Sequence, residues 1–203
     1  GHKQLYAHDH PPVVDFHEAV QILRPHAIIG VSGQPKRFTP EILATMAHIN
    51  ERPIVFSLSN PTSKSECTAE EAYTWTEGRA IFASGSPFDP VVVHGRKHYP
   101  SQGNNVYIFP GVGMGVMASG SVRVTDEMFL AAARVVANEV SESDLQYGRI
   151  YPPLPRIREV SLAVAVAVAE LAYKEGLAAR PRPDDLQAYI KSLMFEPVYQ
   201  SYI

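Results

Sequence analysis

Residues 53–62 read Pro53-Ile54-Val55-Phe56-Ser57-Leu58-Ser59-Asn60-Pro61-Thr62, an apolar run that turns polar at its carboxyl end and stops at a proline. Its first half is β-branched and aromatic with no alternation of apolar and polar positions, the pattern of a strand covered on both faces. Similar runs stand on either side: His26-Ala27-Ile28-Ile29-Gly30-Val31 before it and Arg79-Ala80-Ile81-Phe82-Ala83-Ser84-Gly85 after it. Helix signals fill the gaps. Thr39-Pro40-Glu41 combines an N-cap, a proline suited to the first turn and an acid favoured by the helix dipole. Thr68-Ala69-Glu70-Glu71 reads as a capping box opening a helix to about residue 76. Ahead of the first run, residues 15–23 carry apolar side chains at helical spacing and end at Arg24-Pro25. Three strands alternating with helices predict an α/β chain with an incomplete Rossmann-like, doubly wound parallel sheet.

Further along, Val91-Val92-Val93-His94-Gly95-Arg96 has hairpin character inside a polar excursion from residue 87 to 103. The remainder reads as a helical C-terminal segment. Helices are expected from near Asn105, from Thr125 and after Ser141. A long Ala/Val helix is expected from Ile157 to about Glu175, stopped by Gly176, and a last one over residues 181–193. The Ala/Val composition suits a helix packed on more than one side.

The chain has 203 residues, 45% hydrophobic and 19% charged, with 18 Lys+Arg against 21 Asp+Glu and a net charge of −3. That balance gives no field for nucleic acid or an anionic membrane surface. A single cysteine, Cys67, excludes an internal disulfide and thus a disulfide-stapled scaffold. The opening residues lead into no apolar signal-peptide core, and the most apolar run, residues 160–169, is too short for a bilayer. A soluble protein is therefore expected.

Ligands of an open parallel sheet bind outside the carboxyl ends of its strands. Three small polar loops lie there: Ser32-Gly33-Gln34, Ser59-Asn60-Pro61-Thr62 and Ser84-Gly85-Ser86-Pro87, offering hydroxyl, amide and backbone donors. Pro61 restricts Asn60 to extended geometry and so fixes where its amide points. Gly103-Asn104-Asn105 opens a helix, either as a plain cap or as a carboxylate site where dipole and amides converge. Other signals have simpler explanations. Gly111-Val112-Gly113-Met114-Gly115 has no preceding strand and sits in a helical pattern, so close helix packing explains it better than a dinucleotide fingerprint. His2, His8, His10 and His17 fall in a polar N-terminal segment, and His94 and His98 are expected in solvent. Cys67 reads as a packing residue, while Glu70, Glu71, Asp126 and Glu127 are first-turn helix acids. No complete catalytic constellation or metal-ligand set is legible.

The wording of four stretches resembles the malic enzymes: residues 50–63 (NERPIVFSLSNPTS), 78–88 (GRAIFASGSPF), 102–112 (QGNNVYIFPGV) and 148–154 (GRIYPPL). The resemblance implies oxidative decarboxylation of L-malate to pyruvate and CO2, with NAD or NADP and Mg2+ or Mn2+. It implies that Asn60, Asn104 and Asn105 contact malate and the nicotinamide end of the cofactor, and that Val31, Ser32 and Gly33 lie along the dinucleotide. It further implies that residues 1–120 are the latter part of the nucleotide-binding domain and residues 121–203 a helical segment packing on it. The family's tyrosine, lysine, arginine, acidic metal ligands and glycine-rich loop have no counterpart here, so the 203-residue chain alone is expected to be inactive. A homo-oligomeric parent in the cytoplasm, or in a mitochondrion or other organelle, goes with this reading. The alternatives are a non-catalytic dinucleotide-binding or self-associating module and another nicotinamide dehydrogenase, which the 102–112 run disfavours.

Overall fold

A computed structural model describes residues 2–7 and 9–199; His8, one of the histidines of the polar N-terminal segment, lies outside the described residues. The chain packs as two compact units, Gly1–Pro100 and Ser101–Ile203.

The first unit is the parallel α/β layer. Helix α1 (Phe16–Leu23) is capped by Asp15, whose Oδ1 accepts from the Glu18 N–H at 2.8 Å. Strand β1 (Ala27–Gly30) leads to α2 (Pro40–Ile49), β2 (Ile54–Ser57), α3 (Ala69–Trp75) and β3 (Ile81–Ser84). β1 pairs with β2 and β2 with β3, all parallel, in a register that aligns Ile28, Val55 and Phe82. Both expected caps form: the Thr39 hydroxyl accepts from Ile42 N–H, and Thr68 and Glu71 close the capping box. The Arg79 guanidinium donates to the carbonyls of Ala47, Asn50 and Glu51 within 3.0 Å, fastening the end of α2 to the entry of β3.

Ile28, Val55 and Phe82 are buried under Val20, Leu43, Met46, Ala72 and Tyr73, so all three helices of this unit lie on one face of the sheet. Each large side chain so buried stabilises the fold by about 1.5–3 kcal/mol. The opposite face is not sealed in this way, since Ile29 on β1 is 60% exposed. Coverage on both faces, expected from the apolar runs, therefore fails at β1: apolarity alone does not tell a covered face from an uncovered one.

The expected hairpin is β4 (Val91–Val93) paired antiparallel with β5 (Arg96–His98), turning through His94 and Gly95, both at positive φ. His98 is not in solvent. It is 7% exposed and stacks on Tyr73 at 4.7 Å, because alternation along β5 turns it towards α3.

The second unit is helical: α4 (Phe109–Ser119), α5 (Asp126–Asn138), α6 (Glu142–Gln146), α7 (Ile157–Lys174) and α8 (Leu186–Leu193). Val160, Val164, Ala165, Val168 and Ala169 of α7 are fully buried and shared between two clusters, one with Met128 and Val136 of α5 and one with Ile190 of α8. A Cβ on Gly111 would stand 2.6 Å from Val164 Cβ, and one on Gly115 2.6 Å from the Ala165 carbonyl, so these glycines let α4 seat directly on α7. That packing places α4 inside the second unit, although it precedes the division expected after residue 120. The last helix begins at Leu186 rather than at residue 181, since Pro183 keeps Arg182 out of helical geometry and Asp185 supplies the cap. Among the described residues no helix is long and apolar enough to cross a membrane.

Candidate functional site

Within the first unit, the loops following β1 and β2 lie at the carboxyl edge of the sheet because the two strands are parallel. Val31, Ser32 and Gly33 come directly after β1, and Gly33 takes φ +67°, a left-handed conformation that suits glycine. Val31 is 74% exposed, an apolar side chain held out at the rim. Asn60 follows β2 and is also exposed; its Oδ1 accepts from the Ser86 hydroxyl at 2.6 Å. That bond fixes which end of the amide accepts and leaves its NH2 as the donor. The structure thus brings Val31, Ser32, Gly33, Asn60 and Ser86 to one edge.

The backbone donors expected from the first loop are turned inward. Glu66, 1% exposed, lies beneath both loops and fills the space where a Cβ on Gly30 would stand. Its Oε1 accepts from the Ser32 N–H and hydroxyl, each at 3.1 Å, and from the Ser59 hydroxyl at 2.5 Å. Its Oε2 accepts from the Ser57 hydroxyl at 3.2 Å and the Ser59 N–H at 3.4 Å. The Gly33 N–H in turn donates to Ser59 Oγ at 2.9 Å. Burial by itself raises this carboxyl, but hydrogen bonds from Ser59, its own backbone and Ser32 outweigh it and hold the group below its ordinary value. Glu66 is therefore an ionised carboxylate that occupies the N–H groups of Ser32 and, through Ser59, of Gly33. The loop is not a phosphate cradle; it presents the Val31 side chain instead.

Glu66 was missing from the residues singled out by sequence. The cluster of serines around it (Ser57, Ser59, Ser65) was its one local sign, and its partner Ser32 lies 34 residues away. Neighbouring Cys67 is buried, with its thiol pushed up to about 12 chiefly by burial, and so is no nucleophile. It is the packing residue expected.

In the second unit, Asn104 and Asn105 are both exposed. They start a single 3-10 turn, Asn105–Tyr107, and the α-helix begins only at Phe109. The expected helix at Asn105 is thus one turn short, and the dipole of α4 is not centred on the two amides. Asn104 Oδ1 accepts from the Val106 N–H at 3.0 Å, which makes it the cap of the turn. Asn105 makes no side-chain hydrogen bond among the described residues, leaving its amide to a ligand or solvent. The turn is anchored by Tyr107, whose hydroxyl donates to the Pro152 carbonyl at 2.6 Å and whose ring stacks on Tyr151 at 5.2 Å. Both tyrosines lie in stretches that carried the family resemblance. Among the described residues no group of three or more His, Cys, Asp or Glu side chains could hold a metal ion.

Residues 1–173 match the family model "Malic enzyme, NAD binding domain". Over 201 residues, 98% of this chain, the sequence is 54% identical to the NADP-dependent malic enzyme of Vitis vinifera and 53% identical to the chloroplastic one of Oryza sativa subsp. japonica. It spans only about a third of their length, 34% and 32% respectively. Among solved structures, the malic enzyme of Pyrococcus horikoshii Ot3 superposes with TM-score 0.62 at 28% identity, covering 83% of this chain and 35% of the other. That of Entamoeba histolytica gives 0.63 at 25% identity, covering 83% and 31%. With a parallel α/β layer, asparagine-bearing strand-end loops and a family match over most of its length, the chain belongs to the malic enzymes and carries their NAD-binding domain.

Proposed function

We propose that this chain supplies the strand-end and asparagine loops of an enzyme that oxidatively decarboxylates L-malate to pyruvate and CO2 with NADP+. The family match over residues 1–173 carries this reading, and the relatives named NADP-dependent favour NADP over NAD. Val31, Ser32 and Gly33 would lie along the dinucleotide, with Val31 giving an apolar surface to a ring or ribose. Asn60, oriented by Ser86, would donate its NH2 at the nicotinamide end. Asn104 and Asn105 would donate to the malate carboxylates, which accept charge-assisted hydrogen bonds of about 1.5–3 kcal/mol. The bound nicotinamide supplies the hydride acceptor; these residues bind and orient. The family resemblance implies a divalent metal as well, and the roles given to Val31, Ser32, Gly33, Asn60, Asn104 and Asn105 are towards the organic ligands. A homo-oligomeric assembly forms part of the same reading. The chloroplastic name of the rice relative sets an organellar location beside the cytoplasmic one.

Transplanting this chain in place of the matched 201 residues of the Vitis vinifera relative tests the proposal. The chimera is expected to form NADPH in a malate- and Mn2+-dependent manner. A soluble, folded chimera without that activity would overturn the reading. The 203-residue chain assayed alone is expected to give no malate-dependent NADPH, because it spans only about a third of the length of the NADP-dependent relatives.

A further inference from the structure

Glu66 does not behave like the chain's other buried acid. Asp144 closes a local capping box with Ser141 and pairs with Arg149 at 3.3 Å, a role confined to one helix start. Glu66 has no cationic partner among the described residues. Its charge is met by N–H and O–H donors drawn from the loop after β1 and from the end of β2. Desolvating a carboxylate is costly unless such donors surround it, so a buried unpaired acid fixes the groups that satisfy it.

We propose that Glu66 is a positioning residue for the cofactor, fixing the loop of Val31, Ser32 and Gly33 directly through Ser32 and at one remove through Ser59. This rests on the reading above that the loop lies along the dinucleotide. The geometry demands a carboxylate. Each oxygen receives one backbone N–H, from Ser32 on Oε1 and from Ser59 on Oε2. Hydroxyls can rotate to donate or accept, but a backbone N–H cannot. A glutamine would therefore set its NH2 against a donor whichever way its amide is turned. Aspartate, one methylene shorter, would not reach both loops. With Ser32 N–H and Gly33 N–H held inward, Val31 is kept at the rim.

Two measurements on Glu66→Gln separate this inference from the reading beneath it. Amide hydrogen exchange in the full 203-residue chain reads the loop itself: Ser32 and Gly33 are expected to exchange at least about tenfold faster than in the parent. In the Vitis vinifera chimera, KM for NADP+ is expected to rise about tenfold with kcat changed by less than about twofold, the pattern of lost uniform binding. Ser59→Ala, which removes the acceptor of Gly33 and leaves the Ser32–Glu66 bond, is expected to speed exchange at Gly33 and spare Ser32; it serves if Glu66→Gln does not fold. Thr68→Ala, which removes the cap of α3 and touches neither loop, is expected to lower stability with the NADP+ KM unchanged. Unchanged exchange at Ser32 in Glu66→Gln, or at Gly33 in Ser59→Ala, would overturn the positioning role. Faster exchange with an unchanged NADP+ KM would instead overturn the assignment of the loop to the cofactor, and the inference with it.

Discussion

Tyr73 shows how packing and hydrogen bonding part company at a single side chain. Its ring is enclosed by Phe82 at 5.8 Å and His98 at 4.7 Å, yet its hydroxyl has no hydrogen-bond partner among the described residues. Burial accordingly pushes the phenol well above its ordinary value. A buried, unsatisfied hydroxyl costs about 1–3 kcal/mol. Tyr73→Phe is therefore expected to leave the ring contacts intact and to raise the free energy of unfolding by about 1 kcal/mol in a urea titration. A loss of stability would show that the hydroxyl has a partner, such as an ordered water. Sequence reading could not find this group, because a tyrosine at a helical core position looks the same with or without a bond to its oxygen. Glu66 escaped for a related reason: its ligands come from two loops brought together only by the parallel pairing of β1 and β2.

At the scale of elements, whatever depends on near neighbours was legible. The capping box Thr68–Glu71, the cap at Thr39 and the His94-Gly95 turn all formed as read, since each is closed by residues within four positions of one another. Features set by distant partners were read less well. His98 is buried because α3 lies over β5, and the turn at Asn105 stops short of a full α-helix. The packing reading of the α4 glycines holds for two of the three. Gly111 and Gly115 face α7, whereas a Cβ on Gly113 would meet no heavy atom within 4 Å. Gly111→Ala is expected to destabilise the chain by about 1–3 kcal/mol through overpacking against Val164. Gly113→Ala is expected to stabilise it by about 0.5–1 kcal/mol through helix propensity. Thermal unfolding of the two variants checks the pair; equal effects would mean that α4 does not sit on α7 through this face.

For the molecule as a whole, the alternation of strands and helices was enough to give the fold class, and the phrases around Asn60 and Asn105 were enough to give the family. What stayed out of reach was which face of the sheet is covered, because an apolar run records only that burial is needed. The exposed Ile29 and the helices gathered on one face mark where the sheet is unsealed in this unit. The loop of Val31, Ser32 and Gly33 belongs with Asn60 to the first unit, and Asn104 and Asn105 belong to the second. The side-chain amide of Asn105 is exposed and has no hydrogen-bond partner among the described residues. The most direct measurement is the KM for L-malate of Asn105→Ala in the Vitis vinifera chimera. An amide that donates to a malate carboxylate predicts a rise of at least about tenfold, the equivalent of about 1.4 kcal/mol, with the circular dichroism spectrum unchanged. A malate KM equal to that of the parent chimera would contradict it.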